Sequence, residues 1–211
     1  MPGDGKLLLH WSPRSPYVRK VLVAAHEAGI ADRIEITRTL VGGTIIHQEL
    51  MRENPLGKIP TLVLPDGGVL YDSYVIMEYF DSLETGVRLF PAGGAARLAA
   101  LRRHALGNGM LDFLLAWVGE KWRPAERQSA PHIQLWQAKL AACLPALEAE
   151  ADELAATPYG GGHLAIGIAL GYLDFRFASE NWRAGRPKLA AWYESFAARP
   201  AVLAVPVVDD L

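Results

Sequence analysis

Three short stretches hold side chains whose type and spacing could do chemistry. In Ser12-Pro13-Arg14-Ser15-Pro16-Tyr17 two hydroxyls stand where an apolar run gives way to helical spacing. Serine at the N-cap and proline at the first helical position suit any helix start. A hydroxyl beside free backbone N–H groups also stabilises an anion. Ser15 is the stronger candidate and Ser12 the second. Ile59-Pro60 precedes an apolar strand, where proline marks an edge. A cis bond there would instead turn the Ile59 amide and carbonyl outward, ready to pair with a peptide-like ligand. Asp72-Ser73 opens another helix, as a cap or as a carboxylate site in which Asp72 receives an ammonium. That pairing suits an amino-acid zwitterion.

The elements that position these residues follow from periodicity. Leu7 to Trp11 reads as a strand, and Val18, Val21, Leu22 and Ala25 as a helix that Gly29 stops. A strand at Ile34 to Thr37, a helix over Ile45 to Glu53 and a loop over Asn54 to Lys58 come next. Strands on either side of the Asp66-Gly67-Gly68 turn precede the helix begun by Asp72-Ser73. The order β-α-β-α-β-β-α predicts a mixed sheet flanked by helices. From about Pro91 the pattern is helical, with apolar spacing over Ala95 to Gly119, Ile133 to Leu154, Leu164 to Phe175 and Leu189 to Phe196. The expected domains are 1–83 (α/β), a linker 84–94 and 95–211 (all-α).

Composition limits the functions. The 211 residues are 51% hydrophobic, and 21 basic against 23 acidic side chains leave a net charge of −2. A core is affordable and disorder excluded, and nothing pulls the chain toward nucleic acid. Leu7 to Leu9 is too short for a signal-peptide core, and Leu164 to Leu173 is half a membrane span. One cysteine, Cys143, permits no internal disulfide, and a cytoplasmic protein is expected. His10, His26, His47, His104, His132 and His163 show no metal-ligand spacing, so no metal is expected. Asp112 and Asp174 read as structural acids, with Asp112 alternatively facing a cleft. Trp117, Trp122 and Tyr172 read as core or cleft wall, and Cys143 as an inert buried thiol.

Taken together, Ser12-Pro-Arg-Ser-Pro-Tyr-Val-Arg-Lys20, Asn54-Pro-Leu-Gly-Lys-Ile-Pro-Thr-Leu62, Tyr71-Asp-Ser73 and Gly171-Tyr-Leu-Asp-Phe-Arg176 followed by Trp182 resemble the glutathione S-transferase superfamily, its bacterial members in particular. The resemblance implies a thioredoxin-like N-terminal domain with a cis bond before Pro60, and a helical second domain. It implies Ser15 as the catalytic serine, the Ile59 backbone and Pro60 on the cysteinyl unit of glutathione, and Asp72 and Ser73 on its γ-glutamyl end. Most members carry Glu where this chain has Asp72, one methylene longer. Their Ser/Thr-x-x-Asp capping box is Gly160-Gly-Gly-His163 here, so a softer helix start is expected. Further implications are glutathione as co-substrate without other cofactors, an apolar electrophile as second substrate, and a homodimer with a detoxifying role. Isomerase or dehalogenase chemistry are variants. The rival is a non-catalytic interaction module attached to transcription or translation machinery.

Overall fold

The computed structural model describes residues 5–84 and 86–210. Residues 1–4, linker position 85 and residue 211 lie outside the described residues, and with them the start of the expected 1–83 domain. The chain forms two compact units, one of residues 5–91 with 200–210, the other of 92–199.

The first unit is built on four strands, β1 (Leu7–Trp11), β2 (Ile34–Arg38), β3 (Thr61–Val63) and β4 (Val69–Leu70). Their order is β2-β1-β3-β4. Strand β2 runs parallel to β1, which a crossover helix requires, and β3 and β4 are antiparallel to their neighbours. Leu7 and Leu9 are fully buried and alternate with half-buried Leu8 and His10. Helix α1 (Pro16–Glu27) buries Val18, Val21, Ala24 and Ala25. Its end is a Schellman motif: Ile30 N–H donates to Ala25 O at 3.0 Å and Gly29 N–H to His26 O at 3.1 Å. Gly29 sits at φ +68°, where a Cβ would be strained, as its sequence position predicts.

Helix α2 (Gln48–Glu53) is shorter than the expected Ile45 to Glu53. His47 caps it by accepting from Leu50 N–H at 3.1 Å, which leaves Ile45 and Ile46 exposed ahead of the helix. Helix α3 (Ser73–Ser82) buries Ile76, Met77 and Phe80 on one side.

The second unit holds α4 (Gly94–Lys121), α5 (Ala130–Ala156), α6 (Gly161–Arg176) and α7 (Pro187–Ala197). Helix α6 is buried from Gly161 through Leu173 on every side, and its N-cap Gly160, lacking a side chain, supplies no side-chain cap. The glycines there serve close packing. A Cβ at Gly162 would lie 2.9 Å from Ala100 O, and one at Gly107 would lie 2.4 Å from the carbonyl carbon of Ala165. His163, at the place of the family's capping acid, instead donates from Nε2 to Leu154 O at 3.0 Å. Asp174 accepts from Trp182 Nε1 at 2.8 Å and pairs with both terminal nitrogens of Arg183, a structural role as expected.

The expected helical domain of 95–211 ends earlier in the structure. Helix α8 (Pro200–Leu203) and residues 204–210 belong to the first unit, where α8 packs on α1. Helical spacing reports that a segment is helical, but not which core it joins.

Candidate functional site

Strand register brings the candidate residues to one end of the sheet. Trp11 lies opposite Arg38, His10 opposite Thr61, and Leu62 opposite Leu70. The exit of β1, the entry to β3 and the exit of β4 therefore share that end. From them start the Ser12–Ser15 turn, the Ile59-Pro60 pair and the head of α3. Ser15, Ile59, Pro60, Asp72 and Ser73 thus share one end of the sheet, although up to 58 positions separate them in sequence (73 minus 15).

Ser15 is the N-cap of α1. Its backbone is extended (φ −77°, ψ 116°), and Oγ accepts a long bond of 3.3 Å from Val18 N–H. Among the described residues its hydroxyl proton has no acceptor, so it remains available to an anion at the positive end of α1. Ser12 is nearly buried, and its carbonyl accepts from Ser15 N–H at 3.2 Å.

The bond between Ile59 and Pro60 is cis, as is that between Tyr71 and Asp72. Neither the N–H nor the C=O of Ile59 hydrogen-bonds another described residue. Asn54 holds this pair in place. Buried and 1% exposed, it donates from Nδ2 to Lys58 O (3.1 Å) and to Thr61 Oγ1 (2.9 Å), and it accepts from Leu56 N–H (3.0 Å). The turn is thereby closed from inside, while the main chain of Ile59 stays unpaired. Reading the residues one by one gave Asn54 no role, although Asn-Pro is itself a turn signal.

At the head of α3, Asp72 Oδ1 caps by accepting from Tyr74 N–H at 3.0 Å, and the residue is exposed. Ser73 differs. It is 1% exposed and its Oγ has no hydrogen-bond partner, an arrangement proteins normally avoid.

Other candidates fall outside this cluster. His10 Nε2 lies 2.6 Å from Glu53 Oε2, and Nδ1 lies 2.8 Å from Thr39 Oγ1. Thr39 Oγ1 also lies 3.2 Å from Thr37 O, to which it donates. This chain ties β1 to the last turn of α2, just before Asn54. Asp112 is exposed and Trp117 buried, whereas Trp122 is 61% exposed. Cys143 is half-buried rather than buried, and burial raises its thiol pKa. No group of three or more potential metal ligands occurs among the described residues, and none of their helices is long and apolar enough to cross a membrane.

Comparison with known proteins gives this geometry its family. Residues 14–83 match the glutathione S-transferase N-terminal domain, and 130–195 the C-terminal domain. The chain belongs to the glutathione S-transferase family. An uncharacterised GST-like protein of Escherichia coli K12, YibF, is 30% identical over 88% of this chain and 91% of its own length. A glutathione transferase family member from Pseudomonas fluorescens Pf-5, solved with bound glutathione, is 38% identical with a TM-score of 0.92, covering 97% of this chain and all of that one. A stringent starvation protein A homologue of Pasteurella multocida is 37% identical over 41% of this chain and 40% of its own length. The fold is that of the family: a thioredoxin-like unit with a small mixed sheet and a helical unit.

Proposed function

We propose that the chain is a glutathione transferase that uses glutathione as co-substrate, without a further cofactor, and promotes thiolate attack on an electrophilic, largely apolar compound. One observation carries the reading: a buried, unpartnered Ser73 hydroxyl stands at the same end of the sheet as the unpaired main chain of Ile59 and the free proton of Ser15. A γ-glutamyl carboxylate at the head of α3 supplies the acceptor that Ser73 lacks, with Asp72 facing the ammonium. The cysteinyl backbone pairs with Ile59 beside Pro60 as an added strand. That arrangement leaves the sulfur near Ser15. The glutathione carried by the Pseudomonas relative supports this assignment.

Ser15 acts as a donor and forms no bond to substrate. A free thiol of pKa ~8.5 is only ~3% thiolate at pH 7. Lowering it by ~2 units, ~2.7 kcal/mol, raises that to about three-quarters. A hydroxyl bond to sulfur and the N-terminus of α1 together supply energy of this order. The thiolate then forms a C–S bond as the leaving group departs with its electron pair. Isomerisation and dehalogenation through a glutathione adduct need the same thiolate.

The protein acts as a cytoplasmic homodimer in detoxification. A second reading, a non-catalytic interaction module attached to transcription or translation machinery, is raised by the partial match to the stringent starvation protein A homologue. Glutathione retention and turnover of the unaltered protein separate them, and Ser15→Ala tests the first. For an enzyme, conjugation of a generic aryl halide at neutral pH falls about tenfold or more and its acid limb moves to higher pH, while glutathione affinity holds. Absence of both glutathione retention and turnover in the unaltered protein would favour the module.

A further inference from the structure

Residues 204–210 return to the sheet end that carries Ser15. Arg19 Nε donates to Val205 O at 2.8 Å. Beyond it, Asp210 meets two arginines: Oδ2 accepts a hydrogen bond from Arg38 Nη2 at 2.5 Å, and Oδ1 lies 2.9 Å from Arg14 Nε as an ion pair only, Arg14 Nε making no hydrogen bond. Arg14 immediately precedes Ser15, and Arg38 closes β2 opposite Trp11. One carboxylate therefore links the turn ahead of α1 to the end of a strand. The side chains of Arg14, Arg38 and Asp210 are 16%, 34% and 28% exposed, so these charges are partly shielded from solvent. Ser15 O accepts from Arg19 N–H at 2.9 Å as the first bond of α1, but the bonds on its hydroxyl and amide side are longer: 3.2 Å from Ser15 N–H to Ser12 O and 3.3 Å from Val18 N–H to Ser15 Oγ.

We propose that Asp210 is a positioning residue for Ser15, a carboxylate that grips Arg14 and Arg38 together and so fixes the hydroxyl in the place where it meets the glutathione sulfur. The inference rests on the reading of Ser15 given above. A donor displaced by a fraction of an ångström loses much of its effect on a developing or resident charge. Sulfur stabilisation is then sensitive to a residue that touches neither substrate.

Asp210→Asn keeps size and removes the charge, and Asp210→Glu keeps the charge. In Asp210→Asn, kcat for aryl halide conjugation should fall about fivefold or more, its acid limb should move to higher pH, and KM for glutathione should stay within about twofold. Asp210→Glu should recover most of the rate. A profile superimposed on that of the unaltered protein overturns the proposal, as does a move to lower pH, which would mean that Asp210 merely masks the arginine charges. Amide exchange supplies a readout independent of activity. Ser15 and Val18 N–H should exchange about fivefold faster in Asp210→Asn, with Leu64 and Gly67 of the Asp66 hairpin unchanged. Unchanged protection at Ser15 and Val18 also overturns it. Failure of the unaltered protein to conjugate would count against the enzyme reading alone and leave exchange to decide this one.

Discussion

At the scale of single residues, Asp72 and Ser73 are adjacent yet experience opposite environments. Asp72 is exposed and serves α3 as its cap, whereas Ser73 is sealed in with an unmet hydroxyl. Substitutions should separate stability from binding. Ser73→Ala removes a buried group that has no partner, so thermal stability should hold or rise slightly. Glutathione affinity measured by calorimetry should nevertheless fall by about 1 kcal/mol, the value of one hydrogen bond. Asp72→Ala loses the cap as well as the charge and should cost about 1 kcal/mol of stability. Asp72→Asn preserves the cap and is the cleaner probe: affinity should drop by about 1.5–3 kcal/mol with the melting temperature unchanged. Equal glutathione affinity in all three variants would place the γ-glutamyl end elsewhere.

At the scale of elements, the helical unit depends on how closely α4 and α6 approach. Gly107 meets the backbone of Ala165, and backbone cannot swing aside as a side chain can. Gly107→Ala should therefore cost about 3 kcal/mol or more despite alanine's better helix propensity, read as a fall in the urea midpoint. His163 gives the same unit a pH dependence. Its ring lies against Tyr159 and Trp192, and Nε2–H is shared between Leu154 O and Thr157 Oγ1. Burial lowers its pKa, and the charges of Arg103 and Arg199 add to that against the opposing Leu154 bond. The folded state thus holds a neutral ring that the unfolded chain would protonate below about pH 6.5. Unfolded chains then bind more protons, so stability is full above that pH and declines as pH falls below it. Thermal melts at pH 7.5 and 5.5 should show the decline, and His163→Gln should reduce it. Glu150 acts further down the scale: its hydrogen bond to Arg102 and a second to Arg103 lower its pKa against the cost of burial, so its contribution is lost only as pH falls below the ordinary carboxylate range.

At the scale of the whole molecule, assembly is the property most open to measurement. A homodimer should scatter light as twice 23.0 kDa across micromolar concentrations. A constant monomer mass would remove the dimer from the proposed function. Leu98, exposed at 70% on a helix that otherwise buries Met110, Leu111 and Leu114, is an apolar side chain that association would cover.

Much of the fold was legible because its signals are local. The Ser15-Pro16 cap, the stop at Gly29, the Asp66-Gly67 turn and the strand at Leu7 to Trp11 each depend on interactions within a few residues, where composition and spacing speak directly. Candidate site residues were legible for the same reason, since each heads a helix or strand. What the tertiary structure alone decided involves partners remote in sequence. The transfer of 200–210 to the first unit, the burial of Ser73 and the fit of Gly107 against Ala165 are of this kind. The pairing of Arg38 with Asp210, 172 positions apart, shows the limit most plainly. Periodicity states which face of an element is apolar, but two charged residues carry no mark of each other until folding of the cores between them sets the distance at which they meet.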